Sequence, residues 1–178
     1  MRVMILRHAM PLTGGRLAGR TEVDADCSDR TALAAMAARV VGAEVIASPA
    51  RRCIQTADAM GLSPVRVDPA LWEQDYGAWE GQSYADLPDL GPLPLEALAA
   101  HRPPGGESFR DMAARVRPVL EGLERDTLLI AHAGTVRAGL AMVVGDAALS
   151  FSVAPLSLTI LRRAGPEWAV EAVNLTWP

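Results

Sequence analysis

The chain contains no lysine, so its 17 basic residues are all arginine. That excludes a phosphate-loop lysine, a Schiff-base lysine and every other lysine catalyst. Anions must be held by guanidinium forks, which suit phosphate and carboxylate. Cysteine is almost as scarce. Cys27 and Cys53 are the only two, without a CxxC spacing, which is too few for a disulfide scaffold. Two reduced thiols in a reducing compartment are the expectation, and a cytoplasmic location goes with it. The three histidines show no HxH or HExxH spacing, so no metal site and no cofactor are expected. The apolar run near the N-terminus, Val3 to Leu6, is too short for a signal peptide or a membrane span, and no other run approaches membrane length. An excess of positive charge is also missing: 17 basic against 21 acidic residues give a net charge of −4. Neither a membrane nor a nucleic acid is an expected partner.

What is present points to a folded α/β chain. Of the 178 residues, 50% are hydrophobic, enough for a sizeable core. The length suits one domain over residues 1–178. A Pro/Gly-rich loop-and-helix insertion around residues 82–106 carries a short Ala/Leu segment from Leu95 to His101. Val3 to Leu6, Val45 to Ala47 and Leu128 to Ala131 are apolar without alternation, as in strands covered on both faces. Helical stripes lie between and after them. They are Leu33, Met36 and Val40, then Phe109, Met112, Val116, Leu120 and Leu123, then Val136, Leu140, Val143 and Val144. Ser108 with Asp111 reads as a capping box for the long helix, and Pro118 inside it is expected to kink it. Ser157 to Leu161 and Trp168 to Asn174 read as strands joined at Gly165-Pro166, a hairpin at a sheet edge. Together these predict a three-layer α/β/α sandwich. Its central sheet is mostly parallel, with an antiparallel edge near the C-terminus.

Each apolar run ends in reactive residues: Arg7-His8, then Ser48-Pro49-Ala50-Arg51-Arg52, then His132-Ala133-Gly134. Ligands of open α/β sheets sit outside the carboxyl ends of the strands. Parallel pairing would therefore bring two histidines and several arginines to one edge. A helix opening near Gly134 or Thr135 would add backbone N–H groups for an anion. This combination suits a phosphoryl group on its way to a histidine. A neutral imidazole attacks phosphorus, positioned arginines hold the equatorial oxygens, and a carboxylic acid protonates the leaving alkoxide and then activates water.

Leu6-Arg7-His8-Ala9 resembles the LRHG signature of the histidine phosphatase superfamily, the phosphoglycerate-mutase-like enzymes. Ser48 to Ala57 resembles its SPLxRAxQTA segment. In that register Arg52 is the phosphate-binding arginine and Arg51 holds a variable position. Leu71-Trp72-Glu73 with Tyr76-Gly77-Ala78-Trp79-Glu80-Gly81 resembles LxE…fGxwEG. The resemblance gives the acid/base role to Glu73 and not to Glu80. Ala131 to Arg137 resembles VxHGGxxR, which makes His132 the second histidine of the phosphate pocket. Gly19-Arg20-Thr21-Glu22 resembles the GRTD loop that approaches substrate, and Pro104 to Phe109 resembles PGGESf. The six segments run in order from residue 5 to about residue 140. Ala9 and Ala133 stand where the family has glycine, and Cys53 where it has alanine. The segment after Asp24 is shorter than the family's.

The resemblance implies a metal-independent phosphomonoester hydrolase acting through a phosphohistidine. His8 is its nucleophile and Glu73 its acid and base. Arg7, Arg20, Arg52 and His132 hold the phosphoryl group. A small-molecule phosphate ester is the expected partner, and the pairing of the Gly-Arg-Thr loop with PGGESF resembles the α-ribazole-phosphatase-like branch of cobalamin assembly. The alternatives are a protein-phosphohistidine phosphatase, a broad phosphatase for phosphoserine or sugar phosphates, a phosphoglycerate mutase, and a non-catalytic phosphate-binding module. Arg51 and Arg137 read as structural or rim residues, and Glu80 as a structural acceptor. His101 reads as exposed, and Trp72 and Trp79 read as packing residues. The apolar segment from Pro92 to Leu95 reads as an interface, as in a homodimer, or as a lid.

Overall fold

A computed structural model describes residues 1–177 of the chain. Strand β1 (Arg2–Arg7) shows why its apolar run lacks alternation. Val3 and Ile5 face one side of the sheet, against Met112, Val116 and Leu120. Met4 and Leu6 face the other, against Leu33, Met36 and Cys53. Both faces are covered, so every position is apolar. Strand β6 (Thr127–Ala131) repeats the arrangement and is buried throughout.

Short strands β2 (Met10–Pro11) and β3 (Ala25–Asp26) form a separate antiparallel pair. The main sheet adds β4 (Glu44–Ala47), β5 (Arg66–Val67), β7 (Leu158–Ala164) and β8 (Glu167–Leu175), in the order β5-β4-β6-β1-β7-β8. The first four in that order run parallel, and β7 and β8 run antiparallel to their neighbours. The C-terminal hairpin therefore extends the sheet at its edge, turning at Gly165-Pro166 as its sequence predicts.

Helices α1 (Arg30–Arg39) and α2 (Arg51–Ala59) cover one face. Helices α4 (Phe109–Glu121) and α5 (Ala133–Val144) cover the other. Short helix α3 (Leu95–Ala100) lies in the Pro/Gly-rich stretch. The capping box forms: the Ser108 side chain accepts from Asp111 N, and the Asp111 carboxylate accepts from Ser108 N. Helix α4 runs continuously through Pro118 to Glu121. One stripe needs correction. Val136 and Leu140 are buried, but Val143 and Val144 are 39% and 38% exposed. Helix α5 instead lies close to the sheet through small residues. A Cβ added at Gly139 would sit 2.9 Å from both Ile5 Cδ1 and Leu161 Cδ1. No helix among the described residues is long and apolar enough to cross a membrane.

Candidate active site

Strands β4, β6 and β1 are adjacent and parallel, so their carboxyl ends meet. His8 N donates to Ala131 O (2.9 Å) and Ser48 N to Ile130 O (3.0 Å), which ties the three exits together. Helices α2 and α5 open at these exits, and in neither does the residue at the N-cap bond the first turn with its side chain.

The two histidines meet edge to face, with ring centroids 5.2 Å apart. Their tautomers follow from their partners. His8 Nδ1 lies 2.7 Å from Ala9 O, and a carbonyl oxygen only accepts. Nδ1 therefore carries the proton and Nε2 a bare lone pair, toward which Arg52 Nε points at 3.2 Å. Burial pushes the His8 pKa down to about 3, Arg52 and Arg7 push the same way, and the Ala9 bond only partly opposes them. His8 is thus neutral at pH 7. Arg52 Nη2 approaches His132 Nδ1 at 3.2 Å as a donor, so His132 Nε2 keeps its proton and donates to Ser48 Oγ at 2.8 Å. Burial, then His8, Arg52, Arg115 and Arg7, hold the His132 pKa well below its ordinary value.

Arg52 is 1% exposed and reaches four groups at once. Besides the histidines it donates to Gly19 O (2.7 Å) and Thr21 O (3.1 Å). Glu80 fixes that loop by accepting from Gly19 N, Arg20 N, Thr21 N and Thr21 Oγ1. Burial alone would raise the Glu80 pKa, but these bonds pull it below the usual carboxylate range. Glu80 is therefore a structural acceptor, in keeping with the sequence.

A cavity of about 170 Å³ opens over this edge, lined by Arg7, His8, Arg52 and Glu73. Arg7 Nη1 donates to Val153 O at 2.6 Å, while its buried Nε has no protein partner. Burial lowers the Arg7 pKa, and Glu73 partly offsets this. The Glu73 carboxylate accepts from Gln74 N (3.0 Å) and from Gly134 N (3.3 Å) in the first turn of α5. It thus caps the helix that follows His132. Among the described residues, no group of three or more His, Cys, Asp or Glu side chains is placed to hold a metal ion. A larger cavity, about 330 Å³, lies beside Met10 and Trp177 and is lined by none of these histidines, arginines or Glu73.

The structure does not gather every predicted residue into the cavity. His132 is fully buried behind the wall, stacked on Trp72 with rings 6° from parallel. Arg20 turns away: its Nε donates to Glu73 O (3.2 Å) and its guanidinium faces Glu107 (3.5 Å). It supports the glutamate backbone and does not line the cavity. Arg51 pairs outward with Asp24. Arg137 does line the cavity while holding Phe151 O, so it is both a wall and a brace. His101 is half-buried and stacked on Trp79, 5.4 Å between centroids, and is not the exposed residue the sequence suggests.

Two contributors, Tyr84 and Arg115, carry no sequence signal of their own. Tyr84 lines the cavity, as does Tyr76 from the Tyr76 to Gly81 segment. Arg115, from α4, donates to Ala70 O, Trp72 O and Glu73 O at 2.7, 2.8 and 3.0 Å and forks onto Glu107. It fixes the backbone that presents Glu73.

The family description "Histidine phosphatase superfamily (branch 1)" matches residues 3–176. A glucosyl-3-phosphoglycerate phosphatase from Mycolicibacterium vanbaalenii is 31% identical, over 81% of this chain and 74% of its own length. Among solved structures, TTHB049 from Thermus thermophilus superposes with a TM-score of 0.80 at 28% identity, over 98% of this chain and 99% of its own. The mycobacterial glucosyl-3-phosphoglycerate phosphatase Rv2419c also gives 0.80, at 26% identity, with the same coverage. The pinned imidazole, the buried arginine and the carboxylate on the α5 N-terminus thus lie in a chain matched along almost its whole length, and the chain belongs to the histidine phosphatase superfamily.

Proposed function

We propose that this phosphatase hydrolyses a small-molecule phosphomonoester in the cytoplasm through a phosphohistidine at His8, without a metal. The supporting observation is the His8 tautomer: Nδ1–H is held by Ala9 O, leaving the Nε2 lone pair toward a cavity flanked by Arg7, Arg52 and Glu73. In the first step Nε2 attacks phosphorus and the P–O ester bond breaks. Protonated Glu73 gives its proton to the departing alkoxide. In the second step Glu73 takes a proton from water, the oxygen attacks phosphorus, the P–N bond breaks, and inorganic phosphate leaves. Arg7 and Arg52 carry the charge on the equatorial oxygens. Arg52 Nε points at the nucleophile, so a phosphoryl group arriving between them exchanges that contact for an N–H···O bond. His132, locked by Ser48, keeps Arg52 and the His8 ring in place from behind the cavity wall. Arg20 acts through the backbone of Glu73.

For the substrate, the pairing of Gly19-Arg20-Thr21 with the Pro104 to Phe109 segment favours α-ribazole 5′-phosphate. A second reading, glucosyl-3-phosphoglycerate, is favoured by the activity of the 31% identical relative. The test is phosphate release from both, with phosphoserine, 3-phosphoglycerate, p-nitrophenyl phosphate and a phosphohistidine protein beside them, in EDTA and with His8→Ala as control. Preference for one ester, lost in the variant, is the expected result. A variant that keeps the wild-type rate would sink the mechanism.

A further inference from the structure

Beyond the catalytic cavity lies a second one of about 250 Å³, which shares Gln74, Tyr76, Phe109, Arg137 and Leu149 with it. The second adjoins the first across these five residues. Its far side is apolar and aromatic, built from Trp79, Leu98 and His101. Trp79 and His101 stack with their planes 24° apart. His101 Nε2 is buried there with no protein partner.

This platform is held rigidly. Trp79 ends a short turn begun by Gly77, whose φ is +51°. A Cβ at Gly77 would lie 2.3 Å from Pro104 O, so only glycine allows the approach. Ala78 N donates to Pro104 O (2.9 Å) and Glu107 N to Asp75 O (2.7 Å), locking the turn to the segment after His101. Phosphate enters at the His8 end, so the recess receives what the phosphate is esterified to. A polyol would need many hydrogen-bonding partners there. The far wall offers ring faces, Leu90, Leu98, Pro103 and one unpartnered ring nitrogen. That pattern suits a flat ring that is apolar on its faces and polar at one edge.

Resting on the phosphatase reading above, we infer that the alcohol half of the substrate carries a heteroaromatic ring. The ring packs against the Trp79–His101 pair, and its polar edge meets His101 Nε2. Of the two candidate substrates above, α-ribazole 5′-phosphate has such a ring and glucosyl-3-phosphoglycerate does not.

Four primary alkyl phosphates of similar leaving-group basicity test this. They are 2-(indol-3-yl)ethyl, 2-(1-naphthyl)ethyl and 2-cyclohexylethyl phosphate, and glycerol 3-phosphate. The indolyl ester is expected to exceed glycerol 3-phosphate in kcat/KM by about 100-fold through burial of its ring. It should exceed the cyclohexyl ester by about fivefold through ring stacking. Trp79→Ala should bring the indolyl-to-cyclohexyl ratio close to one. His101→Phe keeps a ring but removes the nitrogen, and should lower the indolyl-to-naphthyl ratio. Leu98→Trp, on the partly exposed α3 helix, gives a variant that does not depend on the platform folding without Trp79. It narrows the recess and should lower the indolyl-to-glycerol ratio. Turnover of all four esters without aromatic preference, or ratios that none of the variants moves, overturns the ring assignment and leaves the phosphatase reading intact. No turnover of any ester overturns both.

Discussion

Gly134→Ala adds one methyl group at the point where α5 begins and Glu73 ends. The added Cβ would lie 2.2 Å from Glu73 Oε1 and 2.5 Å from Met112 Sδ. Contacts below 3.0 Å do not persist, so the carboxylate must withdraw by roughly an ångström and its 3.3 Å bond from Gly134 N is lost. A misplacement of about 1 Å can cost on the order of 100-fold in rate. The loss should fall on proton delivery. For glycerol 3-phosphate, whose alkoxide is a poor leaving group, kcat/KM is expected to drop about 100-fold. For p-nitrophenyl phosphate, whose phenolate leaves without a proton, the drop should stay within about tenfold. Because kcat/KM ends at the first irreversible step, it reports phosphoenzyme formation and not its hydrolysis. A thermal melt shows whether the flexible Met112 side chain has absorbed its share. Equal losses on the two esters, with the fold intact, would refute the placement of Glu73 as proton donor.

Other perturbations follow from the same geometry. Arg115→Met removes the donors to Ala70, Trp72 and Glu73 carbonyls and leaves Glu107 without its fork; urea melts should show a loss of about 3 kcal/mol, and an unchanged midpoint would contradict the brace. Glu80→Gln replaces an acceptor of several loop donors by an amide with one acceptor oxygen. It should cost about 1–2 kcal/mol after allowance for exposure and raise KM about tenfold, more than it lowers kcat; unchanged KM would count against the loop as Arg52's support. Stability should also depend on pH. The folded pKa values of His8 and His132 lie below the unfolded value, so between pH 6.5 and about 3 the unfolded chain binds more protons. The stabilisation is present above pH 6.5 and is lost as pH falls, by about 2.5 kcal/mol between pH 6 and 5 for the pair. His8→Gln should roughly halve that slope in urea titrations, and an identical slope would show that His8 is not held neutral.

The strands that carry the site are legible in the sequence because burial on both faces leaves continuous apolar runs, as at Val3 to Leu6. The residues at their ends are legible because chain order places them directly after the strands. Helix α5 is less so: valines mark Val143 and Val144 as core, while the contact with the sheet is made by Val136, Leu140 and Gly139, the last of which no hydrophobic pattern counts. Strand β5 spans two residues, too few to show a period. Arg115 is illegible because its partners are backbone carbonyls 42 to 45 residues away, and a carbonyl has no residue type. Arg20 illustrates the reverse. Its segment is recognisable, but the direction of its side chain is set by Glu73 O and Glu107 across the fold. His101 sits in a Pro/Gly-rich stretch that reads as surface, and only the return of Pro104 onto the Gly77 turn brings it against Trp79.

Everything proposed for the chemistry depends on covalent transfer to His8 Nε2, which rapid quench with a radiolabelled phosphate ester can detect. Acid-labile, base-stable label is expected on the protein within the first turnover. Peptide mapping should place it on the Nε2 nitrogen of His8. It should persist longer in Glu73→Gln, where water is no longer activated, and be absent in His8→Ala. Burst kinetics without label, label on Nδ1, or label on another residue would contradict the transfer.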